Sequence, residues 1–309
     1  MEYARLGNSD LYISKIGFGC WAIGSHGYGA VDDDESVRSI RLALSLGVNF
    51  FDTADVYGFG HSENILYKAL GAKIRDVVVA TKFGVNWDKN GKTFKDCSSK
   101  RIFEAVEQSL RRLNIDCIPL YQLHHYDGIT PIEEILESLE KCQKSGKIRY
   151  IGFSNTSMEF IKTAQNMKRI ESLQCEYNLV QRKNEKDIEI CSKEMGMGII
   201  AYSVLARGFF SGKCNLVSKV DDKDTRNKDA AFVGDELVRR MVALEKLKKI
   251  AYHYQKTPSQ LAIRWVLSNF NVTCALTGIK NSDQVAENFY YGSWELKKSD
   301  MDELDNLLG

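Results

Sequence analysis

The chain has 309 residues, of which 44% are hydrophobic and 27% charged, a composition typical of a globular protein with material for one large core. Its 42 basic and 41 acidic side chains leave a net charge of +1, which gives no sign of a nucleic-acid partner. The amino terminus is too polar for a secretory signal, no apolar run approaches the roughly 20 residues that span a bilayer, and the cysteines form no CxxC pair. We therefore expect a cytoplasmic protein with reduced thiols and no membrane partner.

The first element that the sequence predicts is a β-hairpin within residues 1–15, where NSD separates EYARLG from LYIS. Short apolar runs then alternate with longer segments of helical periodicity, the pattern of βα units that build a parallel sheet. We interpret eight of these runs as strands: IGFGCW (16–21), NFFDTAD (49–55), VVVATKF (77–83), CIPLYQLH (117–124), IRYIGFSN (148–155), LQCEYN (173–178), GIIAYSVL (198–205) and VTCALTGI (272–279). Amphipathic helices between them are indicated by spacings such as that of Ile102, Val106, Leu110 and Leu113.

Eight strand-helix units without an obvious linker predict a single-domain α/β fold, a (β/α)8 TIM barrel that covers residues 1–309. The stretch 206–256, after the seventh strand, is predicted to contain a long loop and an extra helix. Its charged part, 218–236, is either a surface loop or a lid over the site. The competing fold is a doubly wound sheet, but Gly17, Gly19 and Gly24 lack the GxGxxG spacing of its dinucleotide fingerprint.

Polar side chains end several of the predicted strands. In FDTADVYGFGHSEN (51–64), Asp52 ends a run that reads as a buried strand, and a buried aspartate needs a partner. Lys82 ends the next strand and His124 ends the fourth. In a barrel these ends converge with Tyr57 of the loop that follows Asp52. The sequence therefore predicts a carboxylate, an ammonium, a phenol and an imidazole at one rim of the barrel.

This set of groups indicates the reduction of a carbonyl. A forming alkoxide needs a proton donor, yet a tyrosine has an ordinary pKa near 10. A lysine ammonium about 4 Å from the phenol favours phenolate by about 4 kcal/mol at an effective dielectric constant of about 20, before desolvation opposes it. We therefore expect Lys82 to make Tyr57 a usable acid, with Asp52 orienting Lys82. His124 is expected to point a ring nitrogen at the substrate oxygen.

The sequence resembles the aldo-keto reductases along nearly its whole length. The blocks that carry the resemblance, in the family's order, are FDTADVYG, VVVATK, LYQLHHYD, GKIRYIGFSN, YNLVQR, AYSVLARGFFSGK and TGIKNSDQVAEN. The resemblance implies the catalytic roles given above and a site for a nicotinamide cofactor. In that site it implies Ser154, Asn155 and Gln174 at the carboxamide, Tyr202 on the nicotinamide ring, Ser203, Leu205 and Arg207 along the pyrophosphate, and Lys280, Gln284 and Asn288 at the adenosine end. Because Lys280 suits a 2′-phosphate, NADPH is favoured over NADH.

The substrate pocket is where the sequence departs from the family's pattern. The resemblance implies that Cys20, Trp21, Trp87 and His125 border the substrate. Cys20 stands where a threonine is common, and His125 where an aromatic residue or an arginine is usual. Val204 replaces the usual proline of the AYSPLARG segment. Because of these departures, the resemblance does not identify the substrate. His61 is expected on a loop surface, with 63–64 starting the next helix.

We therefore expect an NADPH-dependent reductase that converts an aldehyde, a ketone or a keto-sugar into an alcohol, without a bound metal. The alternative is a regulatory subunit that senses NADPH, as potassium-channel β-subunits of the same family do. A metal-dependent hydrolase that uses His124 and His125 with Asp52 and Asp55 is disfavoured, because adjacent histidines of a strand face opposite ways and do not easily bind one metal together. For Asp52 and Lys82 the alternative is a buried ion pair with a structural role alone.

Overall fold

A computed structural model of the chain describes residues 1–24, 31–212, 234–289 and 294–306. The strands in these ranges are β1 (Tyr3–Arg5), β2 (Tyr12–Ser14), β3 (Ile16–Gly19), β4 (Phe50–Asp52), β5 (Val78–Phe83), β6 (Val85–Trp87), β7 (Thr93–Lys95), β8 (Ile118–Leu123), β9 (Ile148–Ser154), β10 (Ser172–Glu176), β11 (Gly198–Tyr202) and β12 (Cys274–Gly278). The α-helices are α1 (Asp33–Ser45), α2 (His61–Leu70), α3 (Ser99–Leu113), α4 (Ile132–Lys144), α5 (Met158–Met167), α6 (Glu185–Lys193), α7 (Gly234–His253), α8 (Pro258–Ser268), α9 (Ser282–Phe289) and α10 (Lys298–Asn306). Within the described ranges, no helix has both the length and the apolar character to cross a membrane.

Eight parallel strands close into a barrel in the order β3, β4, β5, β8, β9, β10, β11 and β12, with β12 paired to β3. All eight predicted strands and the (β/α)8 fold are thus confirmed. Seven of the eight strands end one to three residues earlier than predicted, and β5 ends at Phe83 as predicted. The run 49–55, for example, is a strand only over Phe50–Asp52, because residues 55–60 turn towards α2. The carboxyl ends of the eight strands form one rim, and the predicted catalytic residues lie there.

Local sequence signals position the helices between these strands. The hydroxyl of Thr257 accepts a hydrogen bond from the backbone N–H of Gln260, whose side chain in turn accepts one from the backbone N–H of Thr257. This reciprocal cap begins α8 where the sequence predicts a helix start. α3 buries the stripe that contains Ile102, Val106 and Leu113 against the barrel.

The start of α2 differs from the expectation. His61 is the first residue of the helix, so its assignment to a loop is wrong, and α2 begins two residues before 63–64. Gly60 precedes it with φ +94°, a conformation that glycine adopts without strain. The Nε2 atom of His61 lies 2.8 Å from a carboxylate oxygen of Asp33 in α1, so His61 links the two helices.

The hairpin of β1 and β2, which the sequence predicts, closes the amino end of the barrel. Leu6 lies in its turn and is buried with Phe50 and Leu120 in an apolar cluster inside the barrel. Gly7 has φ +53°, and a Cβ atom on it would lie 2.5 Å from the backbone nitrogen of Gly198. The hairpin therefore seals one end of the barrel with apolar side chains, and the opposite rim carries the polar groups.

Two further features lie in the loops at that rim. β6 and β7 form an unpredicted antiparallel hairpin between β5 and α3. Its turn contains Asn90-Gly91, a strong hairpin signal, but its strands are short and mixed in polarity. α7 is the extra helix predicted after the seventh strand. The predicted loop or lid at 218–236 lies outside the described residues, apart from its last three positions at the start of α7.

Candidate active site

Lys82 lies at the centre of the site, and all three of its N–H groups have acceptors. Its Nζ atom is 2.5 Å from Oδ1 of Asp52, 2.9 Å from the carbonyl oxygen of Thr53 and 3.3 Å from the hydroxyl oxygen of Tyr57. Asp52 and Lys82 are both buried. The structure therefore brings Asp52, Lys82 and Tyr57 together, as the positions of these residues at neighbouring strand ends predict.

The second carboxylate oxygen of Asp52 accepts hydrogen bonds from two amides. The Nε2 atoms of Gln122 and Gln174 lie 3.0 Å and 2.8 Å from Oδ2 of Asp52. The two amides also contact each other, with Nε2 of Gln174 3.2 Å from Oε1 of Gln122. Because these side chains come from β4, β8 and β10, the carboxylate of Asp52 joins three strands of the barrel, and Lys82 adds β5.

Burial shifts the pKa values of Lys82 and Tyr57, which contact each other at the rim, in opposite directions. Burial alone would lower the pKa of Lys82, but the negative charge of Asp52 and hydrogen bonds to Asp52 and Tyr57 outweigh it, so the pKa is raised. Burial raises the pKa of Tyr57, and the positive charge of Lys82 offsets only part of that effect. The opposing effect of desolvation, which the sequence leads us to expect, exceeds the attraction of Lys82 in this structure, so the net shift of the Tyr57 pKa is upward.

His124 follows β8 and meets Tyr57 edge to face, with ring centroids 5.8 Å apart. Burial, followed by the positive charge of Lys82, holds the pKa of His124 well below its ordinary value. The imidazole is therefore neutral at neutral pH, with one donor and one acceptor nitrogen. Its buried Nδ1 atom has no hydrogen-bond partner among the described residues.

Asn155 connects His124 to other residues assigned to the cofactor. Its Nδ2 atom donates to the carbonyl oxygen of His124 at 3.2 Å and to the hydroxyl of Ser154 at 2.9 Å. Its Oδ1 atom accepts a hydrogen bond from the hydroxyl of Tyr202 at 2.8 Å. Asn155 also has φ +53°, in the left-handed region. Three of the residues predicted near the nicotinamide, Ser154, Asn155 and Tyr202, are thus linked by hydrogen bonds to one another, and Asn155 links them to the backbone of His124.

The segment after β11 has an unusual backbone conformation. Four of its residues have positive φ angles: Ser203, Ala206, Arg207 and Gly208. Successive left-handed and turn conformations can point backbone N–H groups to one side, the geometry of an anion-binding nest. Ser203 and Arg207 line a cavity of about 340 Å³ together with Tyr202 and Trp21, while Leu205 packs on the hydrophobic core.

The residues predicted at the adenosine end lie together at the start and along one side of α9. The backbone N–H of Lys280 donates to Oε1 of Gln284 at 2.8 Å. Asn288 is only 3% exposed, and its Oδ1 atom has no hydrogen-bond partner within the described ranges. Because a buried amide oxygen rarely lacks a donor, this atom fits a position that a ligand completes.

The four residues predicted at the substrate differ in exposure and surroundings. Trp21 is 37% exposed and lies at the cavity beside Tyr202, whereas Cys20 is fully buried. Trp87 packs on Phe59, with ring centroids 5.3 Å apart. His125 is partly exposed beside His124. Three of the four therefore present surface at the rim, and Cys20 presents none.

The rings of His124 and His125 stack, with centroids 4.9 Å apart and an interplanar angle of 25°. The expectation that adjacent histidines point opposite ways is therefore wrong, because β8 ends at Leu123 and strand alternation does not extend to these residues. In the part of the chain that the structure describes, no group of three or more His, Cys, Asp or Glu side chains is arranged to hold a metal ion. The metal-hydrolase alternative thus has no ligand set in these ranges.

Two buried ion pairs behind the site were not apparent from the sequence. The carboxylate of Asp55 lies 2.5 Å from the guanidinium of Arg101, and both side chains are buried. Glu63 accepts hydrogen bonds from Thr81 at 2.6 Å and from Arg112 at 2.5 Å. The partners are far apart in the chain, so no local spacing indicates them. The only signal is the presence of acidic residues inside segments that otherwise read as buried.

Comparison with known proteins identifies the family of the chain. The profile of the aldo/keto reductase family matches residues 15–308. The chain belongs to this family. It is 35% identical to the aldo-keto reductase YhdN of Bacillus subtilis (strain 168), over 100% of this chain and 94% of that protein. It is 34% identical to the probable aldo-keto reductase 1 of Glycine max, over 92% of this chain and 83% of that protein.

Solved structures agree with this assignment. This aldo-keto reductase superimposes on the glycerol dehydrogenase AKR11B4 from Gluconobacter oxydans with a TM-score of 0.92 and 36% identity, covering 99% of this chain and 94% of that one. The holo form of the aldo-keto reductase AKR11C1 from Bacillus halodurans gives a TM-score of 0.84 at 29% identity, with 99% and 96% coverage. The chain is therefore an NAD(P)-dependent oxidoreductase that acts on carbonyl compounds.

Proposed function

We propose that this aldo-keto reductase reduces an aldehyde or a ketone to an alcohol, with NADPH as the hydride donor and Tyr57 as the proton donor. The observation that carries the proposal is the position of Lys82 Nζ between Oδ1 of Asp52 and the hydroxyl of Tyr57 at the rim of the barrel. A phenol oxygen that accepts a hydrogen bond from an ammonium still has its own O–H to donate. That proton completes the alcohol once the carbonyl carbon has received hydride.

The charges around Tyr57 suit a proton donor that works at neutral pH. Because burial raises its pKa, Tyr57 keeps its proton until a stronger base is present. The substrate oxygen becomes such a base as it gains charge, and Lys82, held charged by Asp52, then stabilises the phenolate that remains. His124 is neutral and donates a hydrogen bond to the same oxygen without competing as an acid.

The nicotinamide, when bound, supplies the hydride. We assign the carboxamide to Ser154, Asn155 and Gln174, the face of the ring to Tyr202, the pyrophosphate to Ser203, Leu205 and Arg207, and the adenosine end to Lys280, Gln284 and Asn288. Two observations support this fit. The positive φ angles after β11 suit an anion, and the Oδ1 atom of Asn288, which has no hydrogen-bond partner among the described residues, suits a donor on the ligand. The positive charge of Lys280 suits the 2′-phosphate that distinguishes NADPH from NADH.

We also propose that the enzyme works in a reducing compartment such as the cytoplasm. The seven cysteines within the described ranges are free, and six of them are buried. We propose that its binding partner in that compartment is its substrate, a small carbonyl compound. The similarity to a glycerol dehydrogenase supports a small polar substrate.

The experiment that tests the function compares the wild type with Tyr57→Phe. Purified protein is mixed with NADPH and a panel of aldehydes, ketones and keto-sugars, and oxidation of NADPH is followed by absorbance. The wild type is expected to turn over at least one member, and Tyr57→Phe is expected to lose about 10²- to 10⁴-fold in kcat because the proton donor is missing. Tyr67→Phe, which removes a phenol oxygen bonded to Asn114 on the outer helices, is the matched control and should keep its rate.

Two results would contradict the proposal. Equal rates for the wild type and Tyr57→Phe would exclude Tyr57 as the proton donor. Tight NADPH binding by fluorescence without turnover of any carbonyl in the panel would instead favour a regulatory subunit that senses the cofactor.

A further inference from the structure

The loop that carries Tyr57 has a strained backbone directly after this residue. Gly58, Phe59 and Gly60 follow one another with φ angles of +61°, +54° and +94°. Glycine adopts such angles freely, but for Phe59 the left-handed region costs free energy, and a residue in this conformation persists only where its surroundings hold it. The conformation of the loop beside Tyr57 therefore depends on contacts with the rest of the protein.

The hairpin of β6 and β7 supplies such contacts on the carboxyl side of Tyr57. The rings of Phe59 and Trp87 pack together, with centroids 5.3 Å apart. The turn of the hairpin lies against the same phenyl ring, because a Cβ atom on Gly91 would be 3.4 Å from it. Phe59 is therefore held by an element that the chain inserts between β5 and α3.

Arg101 of α3 holds the amino side of the same loop. Its Nη2 atom donates a hydrogen bond to Oδ2 of Asp55 at 2.5 Å. Asp55 stands two residues before Tyr57, as Phe59 stands two residues after it. The guanidinium carbon of Arg101 also lies 5.1 Å from the centre of the Trp87 ring. One buried side chain thus contacts both the start of the loop and the ring that packs on its end.

The hydroxyl of Tyr57 has little of its own to fix its position. Among the residues that the structure describes, its one hydrogen bond comes from Nζ of Lys82 at 3.3 Å, which is longer than an ordinary N–H···O bond. A proton donor must lie within hydrogen-bond distance of the oxygen that it protonates, and a displacement of about 1 Å can cost about 10²-fold in rate. The loop backbone therefore has to place the phenol.

We propose that Arg101 positions the proton donor Tyr57. By holding Asp55 and Trp87 together, it keeps the loop 53–60 in the conformation that brings the phenol to the substrate oxygen. The proposal rests on the reductase function given above, and it adds a residue that acts through Tyr57 and not on the substrate itself. The competing role for the buried pair of Asp55 and Arg101 is stability alone.

Arg101→Met tests the proposal, because it removes the guanidinium and keeps a long unbranched side chain. With the carbonyl that the wild type reduces fastest, kcat is expected to fall about 10- to 100-fold. Kd for NADPH, measured by fluorescence titration, should stay unchanged, since in the described ranges the hydrogen bond and ring contact of Arg101 involve no residue assigned to the cofactor. Arg101→Lys keeps a charged donor for Asp55 but loses the planar group on Trp87, so it should recover part of kcat.

A double-mutant cycle separates positioning from stability. Groups that act as a unit have non-additive effects on rate. If Arg101 acts through Tyr57, the substitution Arg101→Met should leave the residual kcat of Tyr57→Phe nearly unchanged, although it lowers kcat of the wild type about 10- to 100-fold. Phe59→Leu, which loosens the other end of the loop without changing a buried charge, is expected to behave in the same way.

Arg182→Met is the matched control. The guanidinium of Arg182 likewise contacts a carboxylate, that of Glu185 at 2.7 Å, and a tryptophan ring, that of Trp265 at 5.4 Å. These partners belong to α6 and α8 and not to the loop of Tyr57. Loss of this guanidinium should therefore leave kcat at the wild-type value.

The outcomes separate this proposal from the reductase function. An unchanged kcat in folded Arg101→Met would overturn the positioning role and leave the function intact. A loss of equal size in the wild-type and Tyr57→Phe backgrounds would also overturn it, since this is what a purely structural role produces. If Arg101→Met does not fold, Arg101→Lys takes its place in the same cycle and is judged in the same way. Absence of turnover by the wild type with every carbonyl tested would overturn the function and this proposal together.

Discussion

The amide nitrogen of Gln174 lies 2.8 Å from Oδ2 of Asp52, so a residue assigned to the cofactor is bonded directly to the carboxylate that holds Lys82. Gln122 completes this contact, because it donates to the same oxygen of Asp52 and accepts from Gln174. Gln174 is the predicted contact of the cofactor's carboxamide, and Asp52 holds Lys82 beside the predicted proton donor Tyr57. The orientation of both therefore depends on the buried hydrogen bonds among Gln122, Gln174 and Asp52.

Gln122→Leu tests that dependence with a side chain of similar volume. Loss of the amide removes one of the two acceptors of Gln174 Nε2 and one of the two amide donors to Asp52. We expect KM for NADPH to rise about 5- to 50-fold, with a loss of about 1–3 kcal/mol in the free energy of unfolding. Kinetics and urea denaturation measure the two effects. Gln108→Leu, at an exposed position of α3, serves as the control and should change neither quantity. An unchanged KM in Gln122→Leu would show that Gln174 does not need this partner.

Lys280→Met tests the preference for NADPH. The substitution keeps an unbranched side chain and removes the charge assigned to the 2′-phosphate. A hydrogen bond to a charged group contributes about 1.5–3 kcal/mol, so KM for NADPH should rise about 10- to 100-fold more than KM for NADH. The measurement is the ratio of kcat/KM for the two cofactors in wild type and variant. If Lys280→Met changes both cofactors equally, the 2′-phosphate is bound elsewhere.

The barrel could be predicted because its signals are local and repeated. Each strand is an apolar run, each helix has one apolar stripe, and Thr257 is a recognisable N-cap at the start of α8. The ends of seven of the eight barrel strands could not be placed, because pairing stops where the neighbouring strand turns away and not where the apolar run ends. The run 49–55 shows this, since Asp52 is its last strand residue.

The site could be predicted where topology alone brings residues together. Asp52, Lys82 and His124 stand at the ends of strands that a barrel places side by side. The contacts that depend on side-chain direction could not be predicted from the sequence. His125 stacks on His124 because the strand has already ended before these residues. Asp55 and Arg101 form their contact although they are 46 positions apart in the chain, a separation that no spacing rule relates.

Gly7→Ala tests the closure of the barrel by the amino-terminal hairpin. An added methyl group would meet the backbone of Gly198 at 2.5 Å, and the residue must also keep φ +53°. We expect a loss of about 2–5 kcal/mol in the free energy of unfolding, from strain and overpacking together. Gly128→Ala is the matched control, because Gly128 has φ +78° but no atom within 4 Å of the added methyl group. The Gly128→Ala variant should lose only about 1–2 kcal/mol in the free energy of unfolding, because backbone strain is the one cost of the added methyl group there. Equal losses would mean that the hairpin can move away from the barrel.

The buried pair of Asp55 and Arg101 makes stability depend on pH. Burial raises the pKa of Asp55 to about 7 from its ordinary 3.8, although Arg101 opposes this. Below about pH 4 the carboxyl is protonated in both the folded and the unfolded chain, so it costs nothing. As the pH rises towards 7 the unfolded chain releases this proton and the folded chain does not, and stability falls by on the order of 4 kcal/mol.

Asp55→Asn removes this titration. The variant keeps a neutral side chain beside Arg101 at every pH, as the protonated Asp55 does below pH 7, so its free energy of unfolding should fall less steeply between pH 4 and pH 7 than that of the wild type. Urea denaturation at several pH values gives both slopes. Asp76→Asn, at an exposed position before β5, should keep the wild-type slope. Parallel curves for the wild type and Asp55→Asn would show that Asp55 is ionised throughout this range, with the guanidinium of Arg101 outweighing the cost of burial.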